Sequence, residues 1–442
     1  MPVSDGTSGP AAEPHAQGHG SEPRTSGRTS DRGLSRRRLF GLAGLGTAGA
    51  LASGGVGGAI GRATASTPTA SAATEPVSTA AIEFTGRHQA GIVTPAQDRL
   101  QFVALDVMTD SRDALVEMLK TWTTAARRLT AGQDSGPEDT GEAAGLPPSG
   151  LTLTVGFGPT LFTTPNGDDR FGLASRRPAP LTELPPFPGD RLDLAISGGD
   201  LCVQACANDP QVAVHAVRNL VRLGAGVVRV RWSQLGFGRT SSTSTAQATP
   251  RNLLGFKDGT ANLKAENSSA LDQFVWVGED AAAWLDGGTY LVTRRIRMLV
   301  ENWDQMPAPD QEAIIGRTKS AGAPLGQREE FDPTDFNAVR GGQPAIPRNS
   351  HVFLSHPNNA GTAILRRGYS FVDGTDGAGQ LDAGLFFIAF QRDPERGFVQ
   401  VQRNLSGDAL NPFVQHTSSA VFACPPGVRD ADDWWGRTLF EA

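Results

Sequence analysis

The chain has 442 residues, 38% of them hydrophobic and 19% charged, with a formal net charge of −6 at pH 7, which is enough apolar content for two domains or one large one. Residues 1–65 hold seven arginines against four acids, a net +3 that leaves −9 on the remainder, and so acidic a body with no basic patch excludes nucleic acid as a partner. The three cysteines, Cys202, Cys206 and Cys424, are odd in number and too few for a disulfide framework. Cys202 and Cys206 share one face of an apparent strand, have no zinc-ligand neighbours, and read as buried apolar residues.

In chain order, the first feature is an address. Ser35-Arg36-Arg37-Arg38-Leu39-Phe40 opens a weakly apolar run, rich in Gly and Ala, that ends at Ile60; a polar tail precedes it and Ala63-Thr64-Ala65 follows as a small-x-small cleavage pattern. Paired arginines ahead of a modestly hydrophobic core are the layout of a twin-arginine export signal, and the glycines make the run too polar to stay in a membrane. The expectation is a signal peptide over 1–65, with cleavage after Ala72 as an alternative, and a Ser/Thr/Ala/Pro-rich linker over 66–85. The processed protein would have no stable membrane span and would be extracellular, periplasmic or associated with the cell wall. The twin-arginine route exports folded proteins, often with a cofactor already inserted.

The body opens at Arg87-His88-Gln89-Ala90-Gly91-Ile92. Leu100–Val107 reads as a strand, and Ser111–Leu129 as a helix with Leu115, Met118, Leu119 and Trp122 at helical spacing. Leu151–Phe157 and Leu201–Ala207 read as strands, Pro210–Leu223 as a helix and Val227–Trp232 as a strand, with loops over 131–150 and 239–252. The second half repeats the first. DLCVQACANDPQVAVHAVRNL (200–220) matches GLFFIAFQRDPERGFVQVQRNL (384–405), aligning Asp209-Pro210 with Asp393-Pro394 and Arg218-Asn219-Leu220 with Arg403-Asn404-Leu405 across one inserted residue, and a strand follows at Ala420–Cys424. The expected fold is α+β, two halves (86–252 and 253–442) with antiparallel sheets packed together.

Candidate chemistry lies in the second half. Gly255-Phe256-Lys257-Asp258-Gly259 places one acid between glycines, a turn that presents its carboxylate. Of seven histidines, His15 and His19 fall in the leader, His215 sits in a helix as a structural residue, and His88 and His416 lie in unpatterned surroundings. His351 and His356 share Ser350-His351-Val352-Phe353-Leu354-Ser355-His356-Pro357. No His-Glu-x-x-His motif accompanies them, which disfavours a metal held by side chains alone and is compatible with one histidine as axial ligand to a haem. Ala363-Ile364-Leu365-Arg366-Arg367-Gly368-Tyr369-Ser370 sends two arginines to opposite faces of a strand-like run.

Taken in order, with Gly384-Leu385-Phe386-Phe387-Ile388-Ala389-Phe390-Gln391, these motifs resemble the dye-decolorising peroxidases, above all their exported twin-arginine group, from about Arg87 to Gly427. The resemblance implies two ferredoxin-like halves with one haem b per chain, held in the C-terminal half. It implies His351 as proximal iron ligand, with His356 as its rival, and Asp408 as the acid that accepts from the other ring nitrogen. It also implies Asp258 as the distal acid–base toward hydrogen peroxide, with activity strongest at acidic pH, and Arg366 as the positive charge beside the breaking O–O bond, Arg367 being the alternative. Arg317 is a candidate partner for a haem propionate, and Gly259 and Thr260 are candidate cofactor contacts. The implied function is a secreted haem peroxidase that oxidises dyes, phenols or other organic donors, with Tyr290, Tyr369 or one of seven tryptophans relaying electrons from bulky ones. The alternative is deferrochelatase-like release of iron from haem, with an iron-uptake permease as partner; a cofactor-free binding module is a third reading. Self-association is left open.

Overall fold

The structure is a computed structural model that describes residues 78–441, so the expected signal peptide and most of the expected linker lie outside the described residues. The first half runs β1 (Arg99–Val107), α1 (Arg112–Thr130), β2 (Thr152–Phe157), β3 (Leu201–Ala207), α2 (Pro210–Leu223) and β4 (Val228–Arg239). Both helices start where a side chain answers free backbone N–H groups: Ser111 accepts from Ala114, and Asp209 accepts from Gln211 and Val212 just ahead of Pro210.

The second half supplies β5 (Thr289–Met298), β6 (Tyr369–Thr375), β7 (Leu381–Gln391) and β8 (Val414–Cys424). Where the first half has the single helix α1, the second makes a long excursion from Leu299 to Gly368 that carries several short helices. Strand order is β4-β1-β3-β2 in one half and β8-β5-β7-β6 in the other, antiparallel throughout, so the two halves share one topology. The expected packing together of two sheets takes a specific form. Their edges are joined, β4 to β6 and β2 to β8, and the eight strands close into one barrel-like sheet.

Closure explains why β4 runs past its expected end at Trp232. Ser233–Gly238 contains two glycines and reads poorly as a strand. Its backbone nevertheless pairs with β1 on one side, Gln101 opposite Leu235, and with β6 on the other, Phe237 opposite Ser370. Phe102, Trp232, Phe371, Phe386 and Phe422 fill the barrel, with the free cysteines Cys202, Cys206 and Cys424 buried among them. Helices α1 and α2 cover the outer face of the first half. The residue inserted in the second repeat appears as a π-helical stretch, Glu395–Val399, followed by a short α-helix, Gln400–Asn404. Asp393 still starts this segment by accepting from Glu395 N at 2.8 Å.

Gly384 on β7 shows how tightly the second half is drawn together: a Cβ there would collide with the Ile296 carbonyl and lie 2.9 Å from Arg297 Cα on β5. Gly384→Ala is expected to lower stability by about 2–3 kcal/mol, as overpacking does, measured as a fall in the urea midpoint; a loss below ~0.5 kcal/mol would show that β5 and β7 can part without cost.

Candidate active site

A cavity of roughly 1560 Å³, counted out to its open mouth, lies on the outer face of the second half's sheet. Its sheet wall is apolar: Ile296 and Met298 from β5, Leu385 and Phe387 from β7, and Val414 from β8. These residues face outward because alternate positions on the same strands fill the barrel. The remaining walls come from the 252–262 loop, from Ile315 and Arg317, from residues 351–366 and from residues 398–411, and with His416 of β8 they carry the polar groups.

His351 begins a short helix, His351–Ser355, capped by Ser350, whose hydroxyl accepts from Phe353 N. Its Nδ1 lies 2.6 Å from Asp408 Oδ2, and the second carboxylate oxygen accepts from Leu410 N at 2.8 Å. Asp408 is an acceptor only, so Nδ1 carries the proton and the Nε2 lone pair is free. The imidazole is 34% exposed and lines the cavity, whereas the carboxylate is 3% exposed. Burial pulls the His351 pKa down, but the charge and hydrogen bond of Asp408 outweigh it and the net direction is upward; Asp258 adds to the rise and Arg366 opposes it. His356 also lines the cavity. It has no carboxylate partner among the described residues, its Nδ1 accepts from Asn358 N at 3.2 Å, and burial together with Arg317 lowers its pKa.

Asp258 sits where the sequence suggested, in a loop closed on itself by Asn252 N to Phe256 O (3.0 Å) and Asp258 N to Pro250 O (2.9 Å). Gly255 and Gly259 adopt φ of +84° and +86°, and a Cβ at Gly255 would meet the Lys319 side chain at 2.7 Å. Arg366 Nη1 donates to Asp258 Oδ1 at 2.6 Å, and Asn252 Nδ2 donates to Oδ2 at 3.1 Å. The backbone of Arg366 is itself clamped: its N donates to Asn262 Oδ1 and its carbonyl accepts from Asn262 Nδ2, both at 2.8 Å. Arg367 points the other way and is fully buried. It donates to the Thr94 carbonyl, to Gln97 Oε1 and to Thr243 Oγ1, and so ties the second half to the first. The two arginines are thus divided as strand alternation expected, with Arg366 facing the cavity.

Gly259, Thr260 and Arg317 all line the cavity. Arg317 Nη1 is committed to the carbonyls of Gly322 (2.6 Å) and Glu330 (3.0 Å). Thr260 donates to Glu330 Oε1 at 3.0 Å, and Lys257 forms an ion pair with the same buried carboxylate. Glu330, Asn252 and Asn262 had no signal in the sequence, because nothing in their spacing relates them to Asp258 or Arg366. His416 was met only as an unpatterned histidine. It lines the cavity, accepts from Arg294 Nε at 3.3 Å, and is pushed down to about 3 by burial and by the Arg294 charge, which keeps it neutral.

Among the described residues no three His, Cys, Asp or Glu converge to hold a metal ion. A metal here would have His351 as its one protein ligand and would need the rest of its coordination from an organic frame. An apolar cavity with one carboxylate-backed imidazole and a separate acid–guanidinium pair fits a haem.

The chain belongs to the Dyp-type peroxidase family: residues 89–238 match the model described as Dyp-type peroxidase, N-terminal, and residues 249–429 the model described as Dyp-type peroxidase, C-terminal. It is 39% identical over 372 residues to the protein named deferrochelatase in Escherichia coli strain K12, covering 80% of this chain and 86% of that one. Ferric DtpA from Streptomyces lividans is similar at 41% identity and a TM-score of 0.77, covering 82% of this chain and 97% of that structure. The DyP-type peroxidase from Cellulomonas bogoriensis is similar at 39% identity and 0.74, covering 82% and 98%.

A histidine whose folded pKa is raised stabilises the fold below its ordinary pKa of about 6.5, and that stability is lost as pH climbs through the raised value. In cofactor-free protein the His351 ring is therefore expected to titrate above the ordinary histidine range by NMR. Asp408→Asn should return it to or below that range and flatten the pH dependence of the melting temperature above pH ~6.5; an unchanged titration would mean that Asp408 does not control His351.

Proposed function

We propose that the protein is an exported haem peroxidase, in which His351 binds the iron, Asp408 holds its tautomer, and Asp258 with Arg366 performs the acid–base work on hydrogen peroxide. Reduction of peroxide at the expense of organic donors is the activity of the family to which it belongs. The observation that carries the residue assignment is the Arg366–Asp258 contact of 2.6 Å facing the same cavity as the His351–Asp408 pair. The shared strand order supports reading each half as ferredoxin-like, with the haem in the second. The three cysteines lie in the barrel core and none lines the cavity, which supports a non-covalent haem b, one per chain. Export rests on Arg36-Arg37 and the run that follows; among the described residues no helix is long and apolar enough to cross a membrane.

A bound haem would supply the iron to which peroxide attaches and the store for two oxidising equivalents. Asp258 takes the proton from one peroxide oxygen and returns it to the other, so that water can leave. Its Oδ1 is engaged by the guanidinium and its Oδ2 accepts from the neutral amide of Asn252, which makes Oδ2 the oxygen placed to take the proton. Arg366 stabilises negative charge developing on the departing oxygen, and Asn262 holds the arginine so that no reorganisation is needed as the charge forms. Arg317, whose Nη1 is held by the carbonyls of Gly322 and Glu330, is the guanidinium on this wall suited to a propionate, since Lys257 is already paired with Glu330. Asp258→Asn and Arg366→Leu should each cut kcat/KM for peroxide by about 100-fold or more, the size of effect removing a general base or an electrostatic donor has, while the Soret band remains. Full peroxide turnover in the double variant would overturn the assignment.

A second reading is release of iron from haem with the porphyrin left intact, the activity implied by the name of the Escherichia coli relative; an iron permease would then be a partner. Haem-loaded protein incubated with a reductant is expected to give no porphyrin fluorescence while it oxidises donors with peroxide. Porphyrin fluorescence that rises without peroxide turnover would replace the first reading with the second.

A further inference from the structure

At one end of the barrel, on the side of the sheet away from the cavity, three polar atoms lack a partner. Arg367 is fully buried. Its Nη1 and Nη2 donate to the Thr94 carbonyl, Thr243 Oγ1 and Gln97 Oε1, all neutral, and its Nε donates to nothing. The Tyr369 hydroxyl is as deeply buried and makes no hydrogen bond. Arg239 Nε is the third such atom. Among the described residues no carboxylate meets Arg367, although a buried charge ordinarily requires one.

Strand register brings these groups together. Arg239, the last residue of β4, lies opposite Tyr369, the first of β6, so their side chains share a face. Arg367 stands two residues before Tyr369, and alternation puts it on that same face, with Leu365 and Tyr369 in the barrel core. The Tyr369 side chain rises beside Gly236, where an added Cβ would come within 2.7 Å of Tyr369 Cβ. Burial pushes the phenol well above its ordinary range, the Cys206 thiol beside it adds to the rise, and the charge of Arg367 opposes it. The hydroxyl therefore keeps its proton and lies within the field of the guanidinium. The carboxylate at this end is Asp98, 44% exposed and 3.8 Å from Arg239 Nη1. Two guanidinium groups against one half-exposed acid leave an excess of one positive charge.

We propose that this end of the barrel binds a small monovalent anion of the halide class, held by Arg367 Nε, Arg239 Nε and the Tyr369 hydroxyl. A water molecule would need acceptors for its own two hydrogens, whereas the orphaned atoms are two N–H donors and one hydroxyl. An anion accepts from all three and cancels the excess charge. It pins the seam where β4 meets β6, directly behind the dipeptide that presents Arg366 to the cavity. The site is independent of the peroxidase reading and needs no electron transfer.

The test follows the melting temperature of haem-loaded protein as sodium gluconate, whose anion is too large for the site, is replaced by chloride at constant ionic strength. The expected result is a rise of about 2 °C for each tenfold increase in chloride above its Kd. Tyr369→Phe keeps the ring and removes only the hydroxyl, and should weaken the apparent chloride affinity about tenfold, the loss of one hydrogen bond to a charged group. Tyr290→Phe removes another buried hydroxyl without a partner, one that lies near Asp393 instead of a free cation, and should leave the chloride response unchanged. In crystals grown with bromide, anomalous scattering should place the ion in contact with Arg367 Nε. A melting temperature indifferent to chloride would mean that water fills the site and would overturn the proposal. A chloride response undiminished in Tyr369→Phe, or equally diminished in Tyr290→Phe, would place the ion elsewhere. A Soret shift with the same chloride midpoint would put it at the iron, and would sink the proposal as well.

Discussion

A carboxylate taken out of water must be answered by a cation or by hydrogen-bond donors, and the second half of this protein is organised around that requirement. Asp408 is answered by His351 and the Leu410 N–H, Asp258 by Arg366 and Asn252, Glu330 by Lys257 and Thr260, and Asp190 by the fully buried Arg294. The His351–Asp408, Arg366–Asp258, Lys257–Glu330 and Arg294–Asp190 pairings join segments far apart in the chain. The first three pairings tie the cavity walls together, and the acid that supports the imidazole is kept apart from the acid that pairs with Arg366.

The two halves share a strand order, yet only the second carries this site. The difference lies in what connects the first and second strands of each unit. In the first half it is the helix α1, whose apolar face seals the sheet with Leu119 and Trp122. In the second it is the excursion from Leu299 to Gly368, which stands off the sheet and brings His351 and Arg366 over a bare apolar surface. The π-helical stretch at Glu395–Val399 belongs to the same departure, since Phe398, Val401 and Leu405 around it line the cavity. The same strand order is thus sealed in one half and left open in the other, and the opening is the cavity.

Barrel closure gives that site a rigid floor. Ile296, Met298, Leu385 and Phe387 cannot retreat, because their strand neighbours are packed into the barrel interior and β5 and β7 touch at Gly384. Arg367 locks the seam from the opposite face of the strand segment that presents Arg366. One dipeptide thus serves the fold with one side chain and the cavity with the next.

The sequence by itself determined the two long helices, most of the strands, the repeated halves and the residues with distinctive chemistry. It could do so because apolar spacing, Asp-Pro helix starts and glycine-bounded turns are local rules. Asp258, His351 and Arg366 stood out because each lies in a short motif, and Asp408 came through resemblance. What only the tertiary structure decided was partnership. Asn252, Asn262 and Glu330 act through contacts with residues distant in the chain or unrelated to them by any local pattern. The extension of β4 depends on strands supplied by both halves, and the division of labour between Arg366 and Arg367 depends on which face of a short strand meets the cavity. Burial and hydrogen bonding across the fold set these, and no local pattern encodes which distant segment will supply the partner.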